Sequence, residues 1–206
     1  MSIATTAVDS PAPPVLGSAI STSRAAAITI AGLIGLAASV TLTVEKIRLL
    51  ADPGYVPSCN LNPVLACGSV MVTEQASVLG LPNSLMGIIA FTVVALTGAL
   101  SVMKVVLPHW YWSALALATA GGVAFVHWLI FQSLYRIGAL CPYCMVVWAV
   151  TVVLLVIFAA LAWESGPLRK NLQLLHRWRW TLTALWFIAL FLLIFLRFQD
   201  YWLTLV

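Results

Sequence analysis

The chain has 206 residues, of which 63% are hydrophobic and 8% charged, where an ordinary soluble domain carries about 25% charged residues. That balance excludes a soluble globular enzyme and implies an integral membrane protein. The formal net charge is +4, but the basic residues stand at the ends of apolar runs rather than in one patch interleaved with aromatics, so no nucleic-acid partner is implied.

Residues 1–24 are rich in Ser, Thr, Ala and Pro, with Pro11, Pro13 and Pro14 close together, and read as a disordered cytoplasmic tail. Ala25 to Val44 is an uncharged run of twenty residues, long enough to cross a hydrocarbon core of about 30 Å as a helix. Glu45, Lys46, Ile47 and Arg48 follow it where a signal peptide would carry a cleavage site, so the segment is expected to stay as the first span. Residues 45–82 form the longest loop, with turns at Asp52, Pro53, Gly54 and Pro57 ahead of Cys59 and Cys67. Within it, Ser69 to Leu79 predicts a short surface helix with Val72, Ala76 and Leu79 on one face.

Leu85 to Met103 predicts the second span, Lys104 to His109 a short connection, and Trp110 to about Leu134 the third span. Arg136 to Leu140 is expected to be a tight turn, and Cys144 to Trp163 the fourth span. Residues 164–179 form a basic loop with Arg169, Lys170, Arg177 and Arg179, and residues 180–206 hold a fifth helix and a short tail. The fifth apolar run, Thr181 to Leu196, is short: it either crosses with snorkelling ends or lies in the interface. The expected fold is an all-α integral membrane protein with a four-helix transmembrane bundle over residues 25–163 and a fifth transmembrane helix. A long extracytoplasmic loop carries the short surface helix.

Basic residues near helix ends accumulate on the cytoplasmic side. With the N-terminus inside, Arg24, Lys104, Arg169, Lys170, Arg177 and Arg179 are cytoplasmic, against Lys46, Arg48, Arg136 and Arg197 outside. Trp110, Trp112, Trp163, Trp178 and Trp180 then mark an inner aromatic belt. In either orientation the first loop and the turn between the third and fourth spans share a face, so all four cysteines do too. Outside, that face is oxidising.

Cys141-Pro142-Tyr143-Cys144 opens the fourth span. Pro142 suits the first turn of a helix and sets Cys141 near the N-cap, where unpaired N–H groups and the helix dipole favour a thiolate. Cys141 is therefore expected to be the exposed, exchange-prone thiol and Cys144 the deeper one, toward lipid. A static disulfide or two buried cysteines is the plainer alternative. Cys59 and Cys67 enclose seven residues with an Asn-Pro turn, a loop that a disulfide can close. That bond is either structural or able to pass to the CxxC pair. A four-thiol zinc site is a third reading, disfavoured because the first pair is widely spaced for zinc.

Other polar positions carry two readings each. His127 lies within the third span and either bonds a neighbouring helix or acts chemically. Gln132 and Tyr135 face a polar cavity or the interface. Trp148 shares a face with Cys144 and Thr151, as ordinary packing or as the wall of a pocket for a flat ring. Asn83 opens the second span, as a helix cap or as a donor to a ligand carbonyl.

Cys59 and Cys67 in a long loop, then Pro82, Asn83, Ser84 and Gly87, then Cys141-Pro142-Tyr143-Cys144, resemble the bacterial branch of the vitamin K epoxide reductase family. The resemblance covers about Ala25 to Trp163. It implies a four-helix bundle around a quinone of the menaquinone, ubiquinone or phylloquinone type. Electrons would come from a DsbA-like thioredoxin-fold partner, through the loop cysteines to the CxxC pair, and on to the quinone, in support of disulfide bond formation. On this resemblance Cys59 meets the partner, Cys67 exchanges with Cys141, Cys144 faces the quinone and Asn83 bonds a quinone oxygen. Trp148 departs from the vertebrate pattern, which has a ligand-binding tyrosine there; an indole donates but does not accept. Many bacterial relatives carry a fused thioredoxin-like domain, and with none after the fifth helix the partner is expected in trans.

Redox chemistry points the same way. A donor such as DsbA sits near about −120 mV, so its oxidant needs a higher potential than nicotinamide has, and the chain has no GxGxxG stretch. The contrasting reading is a non-catalytic membrane scaffold or small transporter with static disulfides, although spans without charge or inner proline argue against transport.

Overall fold

A computed structural model describes residues 20–52, 54–78, 80–164 and 173–203. Most of the expected tail and the loop cations Arg169 and Lys170 lie outside the described residues. The long helices are α1 (Thr22–Ala51), α3 (Asn83–Val102), α4 (His109–Gln132), α5 (Pro142–Glu164) and α6 (Gln173–Arg197). Two one-turn helices, α2 (Cys67–Met71) and α7 (Gln199–Leu203), complete the set. Among the described residues five helical segments are long and apolar enough to cross a membrane, and the protein is an all-α, multi-pass membrane protein.

α1 packs along α3, and the two backbones meet closely because glycines face them. A Cβ at Gly32 would stand 2.6 Å from the Ala95 nitrogen, and one at Gly98 would stand 2.5 Å from that of Thr29. Small residues permit this approach where lipid supplies no hydrophobic drive between helices. α5 packs on both α1 and α4, around a core of Ile28, Phe91, Trp112, Leu154, Phe158 and Leu161. At the end remote from the cysteines, Arg24 holds Glu164 in a bidentate pair at 2.5 and 2.8 Å, and the Lys104 ammonium donates to Thr22 Oγ1 at 2.6 Å.

Several expected boundaries move. α1 does not stop at Val44; it runs to Ala51, because Glu45 and Lys46 find partners in the loop and no helix breaker intervenes before Asp52. The surface helix expected over residues 69–79 is instead α2 followed by a 3-10 turn, Glu74–Ser77. Asn83 diverts the groups a continuous helix would need, its Oδ1 accepting from Val78 N–H at 3.1 Å and its Nδ2 donating to the Gln75 carbonyl at 2.7 Å. The tight turn before the CxxC pair is a π-helical turn, Ser133–Ile137, closed by Gly138 at φ 71°, a left-handed conformation suited to glycine. Trp112 is not a belt residue: it is buried in the core, while Trp110, Trp178 and Trp180 are exposed. The fifth span exceeds the short run seen in sequence, with 21 membrane-compatible residues over Arg177–Arg197.

Candidate functional site

After Gly138 the chain is extended for two residues, and there it pairs with the first loop. Leu140 N–H donates to the Val64 carbonyl at 2.7 Å and Ala66 N–H to the Leu140 carbonyl at 2.9 Å, a single parallel bridge. The Asn62 side chain shapes the loop beneath it, accepting from the N–H groups of Val64 and Leu65. The bridge places residues 66–67 beside residues 140–141. Cys59 and Cys67 are joined in a disulfide, with Cα atoms 5.6 Å apart, and the Cys67 sulfur lies 3.0 Å from that of Cys141. Cys141 and Cys144 are free thiols.

Cys141 stands immediately before Pro142, the first residue of α5, and its carbonyl accepts the Met145 N–H at 3.0 Å. Its thiol is held below the ordinary range chiefly by the hydrogen bond from the Cys144 side chain. Burial pushes the other way, and the N–H groups of Cys144 and Tyr143 add to the lowering. The expected exposure of the pair is reversed. Cys141 is 1% exposed, whereas Cys144 is only partly buried, because the loop disulfide covers Cys141 and Cys144 faces a cavity one turn along the helix. Cys59 and Cys67 are buried as well, in a cluster with Leu42 and Met71. The sulfurs of Cys59, Cys67 and Cys141 lie within 4.8 Å of one another. Zinc would need thiolates, and two of these three are bonded to each other.

The cavity has a volume of about 740 Å³ and lies between α1, α3, α4 and α5, with Asn83, Cys144 and Trp148 among its lining residues. Its size falls in the range of cofactor sites, about 300–1,000 Å³. Asn83 is not a cap, since Pro82 holds the N-cap position. Its amide ties down the 3-10 turn at the cysteine end of the cavity and keeps one N–H free. Trp148 is 2% exposed, packed against Leu134 and Leu140.

Two groups near the site, Lys46 and Glu45, were not singled out by sequence, whereas Gln132, expected to face a polar cavity or the interface, takes its place in the cavity. Lys46 lines it and donates to Ser77 Oγ at 2.7 Å, on the same 3-10 turn. Gln132 also lines it, with Oε1 buried and without a hydrogen-bond partner; an orphaned amide beside an apolar cavity fits a flat ligand bearing carbonyl or hydroxyl groups. Glu45 lies behind the loop, 4% exposed, accepting from Tyr55 and Ser58. Spacing of Lys46 with Ser39 and Leu42 on one helical face was the signal for the first of these; a charge after an apolar run hid Glu45.

Two other sequence candidates lie elsewhere. His127 Nδ1 bonds the Val123 carbonyl at 2.8 Å and its Nε2 accepts from the Trp186 indole at 2.8 Å, joining α4 to α6 outside the cavity. Tyr135 is exposed and packs on Phe131, on the outer surface.

Alongside a disulfide within exchange distance of a helix-start CxxC pair, the model of the vitamin K epoxide reductase family matches residues 26–159. The chain belongs to that family. Membership makes it a membrane thiol-disulfide oxidoreductase, of a family that uses quinones. No curated protein matches the chain.

Proposed function

We propose that this family member oxidises a DsbA-like thioredoxin-fold partner and passes the electrons through Cys59/Cys67 and Cys141/Cys144 to a membrane quinone. The 3.0 Å approach of Cys67 to Cys141, with the loop pair oxidised and the CxxC pair reduced, carries the reading. A partner thiolate attacks Cys59, and Cys67 leaves as thiolate. Cys67 then attacks Cys141 of a Cys141–Cys144 disulfide, and Cys144 leaves. The partner's second thiolate releases Cys59, which attacks Cys67 and frees Cys141. The partner gains a disulfide and the CxxC pair becomes a dithiol, which is the redox state observed.

A quinone in the cavity supplies the acceptor for two electrons and two protons. Cys144 faces it, Trp148 offers a flat wall, and Asn83 and Gln132 offer amide groups to its oxygens. Which quinone of the menaquinone, ubiquinone or phylloquinone class binds is set by this apolar wall and these amides.

The test is a thiol titration of the reduced protein with a short-chain quinone under anoxic conditions. One disulfide formed per quinol is the expected result; thiols that persist in the presence of quinone would leave the static scaffold. In Cys144→Ser, Cys141 attacks Cys67 and Cys59 leaves; a serine hydroxyl cannot resolve the Cys67–Cys141 bond from the Cys141 side, so the bond persists while the partner holds Cys59 in a mixed disulfide. Non-reducing peptide mapping is expected to find that bond, and a Cys59–Cys67 bond alone, even with reduced partner present, would remove the relay.

A further inference from the structure

The two arms of the cysteine loop are held by different parts of the protein. The Cys67 arm is stitched to the chain just before Cys141, through Val64, Ala66 and Leu140. The Cys59 arm is held by a transmembrane helix: Glu45 of α1 accepts from Ser58 Oγ at 2.7 Å with Oε1 and from Tyr55 O–H at 2.8 Å with Oε2. Ser58 is the residue before Cys59. After Cys59 the chain is tied to the Cys67 arm instead, the Asn60 side chain accepting from Gly68 N–H at 2.9 Å and Leu61 N–H donating to the Leu65 carbonyl at 2.9 Å, so Glu45 is the hold on the Cys59 arm from outside the loop. Cys59 is 4% exposed, so a protein partner cannot reach its sulfur while the arm is seated.

We propose that Glu45 is a positioning residue that anchors the Cys59 arm alone, so that Cys59 can be released to a partner while Cys67 stays seated on Cys141. This rests on the relay reading and adds to it the device that separates its two half-steps. A buried carboxylate is costly unless its oxygens are satisfied, and both satisfying donors come from the arm. The anchor therefore holds by two charge-assisted bonds, which a docking partner can replace or break together. Release lowers the local concentration of Cys59 at Cys67. When Cys141 attacks Cys67, the Cys59–Cys67 bond breaks and Cys59 leaves as thiolate, with no net oxidation, and a free arm favours that outcome.

The experiment uses the full chain in a bilayer disc, with Glu45→Ala and Glu45→Gln compared with Arg24→Ala. The last removes the distant ion pair and reports plain destabilisation. Two readouts are taken: the initial rate at which limiting dithiothreitol reduces Cys59–Cys67, and, in the Cys144→Ser background, the fraction trapped as Cys67–Cys141. Loss of the charged pair of bonds is expected to raise the reduction rate about tenfold in Glu45→Ala and to raise the trapped fraction, with a smaller rise in Glu45→Gln and none in Arg24→Ala. An unchanged reduction rate overturns the proposal, and so does a trapped fraction that falls, because Glu45 would then support the Cys67 arm as well. If Cys144→Ser alone traps nothing, the relay fails, and the reduction rate decides the anchor by itself: a rise supports it and no rise ends it.

Discussion

At the scale of single residues, the structural bonds of Asn83 and its proposed contact with the quinone can be separated by substitution. Its Oδ1 holds Val78 and its Nδ2 holds Gln75, so Asn83→Ala is expected to cost about 1–3 kcal/mol through two lost hydrogen bonds and to raise the KM for quinone. Asn83→Asp keeps the Val78 bond but has no N–H to give to Gln75 or a ligand, so it is expected to recover at most part of the stability and to leave KM high. Thermal unfolding beside quinone kinetics checks both; recovery of both by Asp would remove the ligand contact. The lowered thiol of Cys141 has its own signature. Thiolate absorbance of the protein with its loop disulfide intact is expected to persist below the ordinary thiol value of about 8.5 and to vanish only as pH falls through the depressed value. Cys144→Ala, lacking the main donor, is expected to move that titration upward. The CxxC pair and its helix start were legible in sequence because Pro142 and the cysteines are local signals. The depth of Cys141 was not, since what covers it is a loop some 74 residues away in the chain.

At the scale of elements, apolar runs revealed every long helix, while helix ends depended on partners that hydropathy does not register. Glu45 looked like a terminus and is an interior residue of α1, satisfied from the loop. The fifth run looked marginal, yet α6 is fastened at two points, by the Trp186 indole to His127 and by Arg197 Nε to the Leu134 carbonyl at 2.9 Å. Phe198 packs with Val64, Leu140 and Trp148, so the last helix braces the turn that feeds the CxxC pair. The two fastenings differ in weight. A neutral interhelical bond in a membrane averages about 0.6 kcal/mol, whereas one to a charged group is worth about 1.5–3 kcal/mol. Arg197→Met is therefore expected to lower thermal stability more than Trp186→Phe and to slow Cys67–Cys141 exchange, because Leu134 belongs to the π turn before Cys141. Equal, small losses with unchanged exchange would make α6 a passive neighbour.

At the scale of the whole molecule, the two ends are chemically distinct. One gathers the three sulfurs, the loop and its anchors; the other is closed by Arg24 with Glu164 and Lys104 with Thr22. α1, at 30 residues, measures about 45 Å, which exceeds the hydrocarbon core of about 30 Å and carries Glu45 beyond it. From the balance of basic residues the cysteine end is expected outside, where an oxidising compartment would supply a use for a disulfide generator. In intact cells treated with a mild reductant, an impermeant thiol reagent is expected to label Cys59 and Cys67 as fully as in a lysate. In a chain with its four cysteines replaced by Ser, the exposed Lys104 changed as Lys104→Cys is expected to label only after the membrane is opened. The two probes sit at opposite ends of one rigidly packed bundle, so their results must be opposite. Labelling of position 104 in intact cells, with the loop protected, would invert the protein and put its thiols in a reducing compartment, where a relay toward disulfide formation has no purpose.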